Sequence, residues 1–213
     1  MPPLMDPAAL EELRRIFVAL DYLGVAIFAI TGALVAARAR QDFVTCAFFA
    51  GMTGMGGGTI RDLLIGAPVF WIGQEWFVAV CLAATFAVWI FRTDRWPGKP
   101  LRWLDAIGLS AYCAFGSLKA LSFGISPVPA VLMGAITATF GGVMRDMIAG
   151  QPSILLQREI YVTAAIAGAS ATVLLSVGTG INGWIAGGAG AGIAFAIRAG
   201  AISRGWKLPI HPG

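Results

Sequence analysis

Charge is what this sequence has least of. Of its 213 residues only 12% are Asp, Glu, Lys or Arg, against roughly 25% in a soluble domain, so the polar cover that a water-facing surface needs is missing. There is one histidine, His211, in a proline-flanked tail, which excludes His-based catalysis and a multi-histidine metal site. The three cysteines, Cys46, Cys81 and Cys113, stand inside apolar blocks without CxxC spacing, so neither a zinc site nor a disulfide framework is indicated. They read as small core residues. The sequence pI is about 9.3, yet the basic residues are scattered through short loops and form no patch of the kind that grips nucleic acid. Strands of about ten residues with alternating polarity, the mark of a membrane barrel, are absent. Asp6, Glu11 and Glu12 precede the first arginine, which is not the basic start of a cleaved signal peptide.

What is present is apolar length. The chain is 58% hydrophobic with a mean hydropathy of +0.79, and its apolar blocks run about 17 to 25 residues, enough to cross a hydrocarbon core of roughly 30 Å as helix. Spans are expected at 16–36, 43–65, 76–92, 102–121, 127–149, 159–177 and 181–200, between an N-terminal segment 1–15 and a tail 201–213. With the N-terminus outside, the cytoplasmic segments hold Arg38, Arg40, Arg92, Arg95, Lys99, Arg102, Arg158, Arg198, Arg204 and Lys207, and the other side only Arg14 and Arg15. The positive-inside rule therefore favours N-out and C-in for a multi-pass membrane protein.

A constant shift of 84 residues superposes the first half of the chain on the second. It carries Asp21 onto Asp105, Gly24 onto Gly108, Gly32 onto Gly116, Thr53 onto Thr137, Gly57-Gly58 onto Gly141-Gly142, Arg61-Asp62 onto Arg145-Asp146 and Gly66 onto Gly150, without a gap. The repeats are 16–92 and 102–177, joined by the basic loop 93–101. Each holds three spans, so the second enters the membrane from the opposite side. The expected fold is an all-α integral membrane protein, seven transmembrane helices built as two inverted three-helix repeats plus a seventh helix.

In inverted-repeat channels and transporters the permeation site lies where the repeats meet, at helices interrupted by Gly or Pro. Gly56-Gly57-Gly58 in span 2 and Gly141-Gly142 in span 5 mark that place. Each Gly costs about 1 kcal/mol relative to Ala within a helix. The clusters are therefore read as functional kinks or unwound turns, with close helix packing as the alternative. Arg61-Asp62 and Arg145-Asp146 follow near the span ends, where charge is expensive unless paired or hydrated. Helical neighbours point about 100° apart, so each Arg is expected to pair across the repeats, Arg61 with Asp146 or Asp105 and Arg145 with Asp62 or Asp21. These six charges clamp the helices, line the vestibules of a pore, or hold a lipid headgroup. Lys119 has no acid within a helical turn, and its counterpart is Val35. It either snorkels to the interface or senses the membrane field, where one charge is worth about 2.3 kcal/mol per 100 mV. Hydroxyls at Thr31, Thr53, Ser110, Tyr112, Ser117, Thr137 and Thr139, without mid-membrane carboxylates, suit monovalent cations better than Ca²⁺ or Mg²⁺.

Asp21-x-x-Gly24, Phe28-Ala-x-x-Gly32, Gly56-Gly-Gly-Thr-Ile-Arg61-Asp62-Leu-Leu-Ile-Gly66 and Pro68-Val-Phe-Trp71 together resemble the bacterial branch of the trimeric intracellular cation (TRIC) channel family over residues 17 to 200. The resemblance implies homotrimers with one pore per protomer along spans 1, 2, 4 and 5, passing K⁺ and Na⁺ without a cofactor. It implies kinks at Gly56, Gly57, Gly58, Gly141 and Gly142, although the second motif, Phe140-Gly-Gly, is one glycine short. It makes Lys119 the positional candidate for the basic gating residue of animal members. The lysine-containing phosphoinositide motif of those members is not found here. Two other classes compete: a secondary transporter of a small zwitterion such as glycine, and a membrane scaffold or lipid-binding protein.

Overall fold

The computed structural model describes residues 7–91, 99–154 and 160–208, and their side chains from residue 18 onward except at residue 99. The readings placed on Asp6, Glu11, Glu12, Arg14, Arg15, Arg92, Arg95, Lys99, Arg158 and His211 fall outside those side chains. Among the described residues the chain folds into seven helices: α1 (Pro7–Arg38), α2 (Phe43–Leu64), α3 (Trp76–Ile90), α4 (Lys99–Ser122), α5 (Pro127–Ile148), α6 (Val162–Gly178) and α7 (Gly183–Arg204). The first begins nine residues before its expected span. Apolar stretches long enough to cross a membrane lie in α1, α2, α5 and α7. The α3 helix, at 15 residues, is only about 22 Å long, and α4 is diluted by Arg102, Asp105 and Lys119.

Local signals set the ends. Asp42 caps α2, its carboxylate accepting the Thr45 N–H at 2.7 Å, and Asn182 caps α7 by accepting from Trp184 N. Pro127 opens α5, where a missing N–H costs nothing. The C-terminal ends of α2 and α5 are built alike: Gly66 (φ 69°) and Gly150 (φ 63°) take the left-handed conformation that stops a helix. The following N–H groups of Ala67 and Gln151 return to the carbonyls of Asp62 and Asp146.

The repeat is visible in the packing. In the first half α1 packs on α2 and α3; in the second α4 packs on α5 and α6; α1 meets α4 and α2 meets α5 across the halves, while α7 covers α4 and α6. A Cβ added to Gly57 would strike the Thr137 carbonyl, and one added to Gly141 would strike the Thr53 carbonyl. Moving up α2 from 53 to 57 thus moves down α5 from 141 to 137. The two helices cross antiparallel at equivalent residues, which is the inversion itself. Neither unwinds at its glycines, and Gly57 and Gly141 serve the packing alternative: they bring two backbones into contact.

The distribution of polarity is inside out. Val44, Phe48, Trp76, Phe86, Trp89, Val128, Leu132, Leu174 and Ile185 are exposed, whereas Asp21, Arg61, Asp62, Asp105, Lys119, Arg145, Asp146 and Arg198 are buried. Exposed apolar area on this scale suits lipid, not water. Cys46, Cys81 and Cys113 are free thiols in the core.

Candidate functional site

The buried charges form two clusters, one per repeat, on opposite sides of the α2–α5 crossing. From that crossing to Arg61-Asp62 is about 10 Å along α2, and from it to Arg145-Asp146 about 10 Å the other way along α5, so the two motifs stand about 20 Å apart. That separation overturns the expected cross-repeat pairing. Each arginine pairs within its own repeat instead.

In the first cluster Arg61 donates from Nε to Asp62 Oδ1 at 2.8 Å and from Nη2 to Asp21 Oδ1 at 3.4 Å. The pairing of neighbours Arg61 and Asp62 also departs from expectation. The α2–α3 connection folds back over the helix end, so both side chains face protein, and the long guanidinium arm bridges the angle between them. Phe70, on that connection, donates its N–H to Asp62 Oδ2 at 3.1 Å. Lys119 reaches in from α4, with Nζ 2.9 Å from Asp62 Oδ1 and 3.7 Å from Asp21 Oδ2. It is buried and doubly paired, so it does not snorkel. The sequence hides this because both partners lie on other helices. Tyr112 donates to the Asp21 carbonyl at 3.2 Å. The faces of Phe115 and Phe70 lie 4.9 and 5.9 Å from the Arg61 guanidinium carbon, so cation–π contact replaces water around it. Two carboxylates meet two cations here, a balance that burial demands.

The second cluster repeats the frame and changes the filling. Arg145 donates to Asp146 Oδ1 at 2.9 Å and to Asp105 Oδ1 at 3.0 Å, and Ile154 N–H donates to Asp146 Oδ2 at 3.1 Å, as Phe70 does to Asp62. Thr31 stands where the symmetry puts Phe115, and its hydroxyl accepts from Arg145 at 3.1 Å while donating to the Phe28 carbonyl. Val35 stands where it puts Lys119. A pocket of about 110 Å³ opens at this cluster, lined by Arg102, Asp105, Arg145, Asp146 and Gln151.

The glycines divide the work. Gly57 and Gly141 make the crossing. Gly58 leaves room for the Phe70 ring, 2.6 Å from where its Cβ would be, and Gly142 leaves room for the Tyr161 hydroxyl at 2.9 Å, so each admits the aromatic residue that roofs its cluster. Gly56 faces outward to an apolar groove of about 560 Å³ between α2, α3 and α5, near Met144. It has no equivalent in the second repeat.

Sequence reasoning missed Phe70, Phe115, Tyr161 and Arg198. Arg198 was expected at a cytoplasmic helix end; it is fully buried on α7 with its guanidinium 5.2 Å from the centre of the Tyr161 ring. The signal was available, since residue 198 falls within the apolar span 181–200.

Known proteins share this fold and its repeat. A family model described as Glycine transporter matches twice, over residues 18–93 and 102–177, at the 84-residue offset of the repeat. An inner membrane protein of Escherichia coli K12, YadS, is 38% identical over 70% of this chain and 73% of its own length. A Vibrio cholerae membrane protein is 39% identical over 70% of this chain, and the match spans 64% of that protein, a little under two thirds. Among solved structures, the TRIC trimeric intracellular cation channel orthologue from Rhodobacter sphaeroides superposes with a TM-score of 0.84 at 42% identity, covering 90% of this chain and 99% of its own. A second structure, described in terms of conductance through TRIC cation channels, gives 0.80 at 30% identity over 91% and 96% of the two chains.

Proposed function

The chain belongs to the family of the bacterial TRIC channels, whose family model carries the description Glycine transporter, and we propose that it is a channel for the monovalent cations K⁺ and Na⁺ and not an enzyme. The observation that carries the reading is the pair of buried charged clusters at either end of the α2–α5 crossing, inside a protein whose outer surface is apolar. Paired charges can shed and regain partners as an ion passes, at a cost far below that of crossing bare hydrocarbon. The path runs between α1, α2, α4 and α5, one path per protomer of a homotrimer in the bacterial inner membrane, with the N-terminus outside. Lipids surround the trimer, and no nucleic acid is a partner. The glycines Gly56, Gly57, Gly58, Gly141 and Gly142 set the bore by fixing how close α2, α5 and the roofing aromatics approach. Lys119, held by Asp62 at 2.9 Å, is the gating charge: a field that draws it from the carboxylate loosens the first cluster. Lys119→Ala is expected to flatten the voltage dependence of open probability; an unchanged dependence removes that role.

Proteoliposomes loaded with KCl and diluted into a salt of a bulky organic cation test the function. Potassium efflux above that of empty liposomes is the expected result, and its absence in correctly folded protein contradicts the proposal. The family model's description supports a second reading, transport of glycine. Against it, every buried carboxylate among the described residues is engaged by an arginine or lysine, leaving none dedicated to a substrate ammonium group. Saturable uptake of labelled glycine without potassium flux would favour it.

A further inference from the structure

Two helices connect the charged clusters. α1 runs from Asp21 in the first cluster to Thr31 in the second, and α4 runs the other way, from Asp105 in the second to Phe115 and Lys119 in the first. Asp21 and Thr31 are about 15 Å apart along α1, and neither 22–30 nor 106–114 holds a charged residue. Each of these stretches carries a large aromatic residue, and the shift of 84 takes one onto the other: Phe28 onto Tyr112. Their rings stack on each other, with centres 5.5 Å apart and planes 28° from parallel, and the residues are 1% and 2% exposed. Their seats are equivalent too. A Cβ on Gly108 would lie 2.9 Å from the Phe28 ring, and one on its counterpart Gly24 would strike the Tyr112 ring. The stacked rings therefore straddle the point halfway between the clusters, joining α1 to α4 as Gly57 and Gly141 join α2 to α5.

We propose that Phe28 and Tyr112 are the gate of the ion path: stacked as they are here they close it midway between the clusters, and it opens when the rings turn aside. Two buried aromatic faces in contact leave no room for a hydrated ion, and an apolar constriction closes a pore by excluding water. With charge on either side, the stack is the least polar point on the way from one cluster to the other. It is also tied to the first cluster. The Tyr112 hydroxyl donates to the Asp21 carbonyl at 3.2 Å, and Phe115 stacks on Tyr112 with ring centres 6.0 Å apart while covering the Arg61 guanidinium at 4.9 Å. Turning the Tyr112 ring breaks the first contact and disturbs the second, so the cluster that holds Lys119 responds to the state of the gate. The inference rests on the channel reading above and assigns its closing element.

The test sets potassium efflux from proteoliposomes beside the thermal midpoint of the same purified full-length proteins. Phe28→Leu removes one ring of the pair and keeps an apolar side chain. Efflux per folded protein should rise about 2- to 10-fold, the worth of one aromatic pairing, while the midpoint falls. Tyr112→Phe keeps the ring and releases it from the Asp21 carbonyl, and should raise efflux by a similar factor, the worth of one hydrogen bond. A pair that served packing alone would lose flux together with stability, so a gain of flux at a lower midpoint is the signature of a gate. Efflux unchanged or lowered in Phe28→Leu overturns the proposal, and with wild-type efflux intact the channel reading stands. If the wild type and both folded variants all retain potassium, the channel reading falls and the gate with it. If Phe28→Leu does not fold, Tyr112→Phe, a change of one oxygen, decides by the same criterion.

Discussion

Asp62 serves three partners with two oxygens: Arg61 and Lys119 share Oδ1, and the Phe70 N–H takes Oδ2. Removing a carboxylate from such a site leaves two buried cations short of a partner, a change that costs about 3–5 kcal/mol. Asp62→Ala should therefore lower the thermal midpoint sharply, and more than Asp146→Ala, whose carboxylate borders the pocket and can be replaced by water. Comparable losses would mean that the two clusters carry equal weight. Asp42 acts outside the membrane. The Thr45 and Val44 N–H groups hold its carboxyl below the usual carboxylate range, so the cap on α2 is formed at neutral pH and is lost as pH falls through that depressed value. Asp42→Asn, which keeps an acceptor without the charge, should remove this part of the acid sensitivity in a melt followed by circular dichroism. At this scale the sequence showed which side chains matter but not their partners. The motif Arg-Asp and the shift of 84 single out six charges; which ones meet depends on where the α2–α3 and α5–α6 connections return, and no local pattern encodes that.

At the scale of elements, α2 and α5 depend on two glycines for their contact. Gly57→Leu or Gly141→Leu places a side chain against a carbonyl of the facing helix, and overpacking of this kind costs about 1–3 kcal/mol. Because the contact is reciprocal, the two substitutions should have similar effects on midpoint and on potassium flux, whereas Gly56→Ala, which faces the apolar groove, should have little effect. A flux unchanged by both leucines in folded protein would remove the crossing from the ion path. The glycine clusters are legible as special in the sequence, where they read as kinks or unwound turns with close packing as the alternative; the helices run on through them, and Gly57 and Gly141 meet backbone of the facing helix. Composition shows where a helix can bend or be approached; whether a neighbour takes up the approach is a matter of tertiary packing. The same limit applies to α7, where nothing in the local pattern shows that Arg198 is carried into the core.

For the whole molecule, the duplication was readable because membrane burial restricts which residues can change, and charges at a fixed offset stand out against an apolar background. The proposed orientation rests on loop charge alone. A cysteine at Gln41, in the α1–α2 connection, should label from the cytoplasmic side in intact cells only after permeabilisation, and labelling without it would reverse the topology. The clusters are unlike, one closed by Lys119 and one opening to a pocket, so the two ends of the molecule differ, and on the proposed reading the gating charge lies at the Lys119 end. Single-channel recording of the purified protein in a planar bilayer under a KCl gradient tests the central claim most directly. The account predicts discrete current steps that reverse near the K⁺ equilibrium potential, with voltage dependence lost in Lys119→Ala; a silent bilayer, or steps reversing near the Cl⁻ potential, would contradict it.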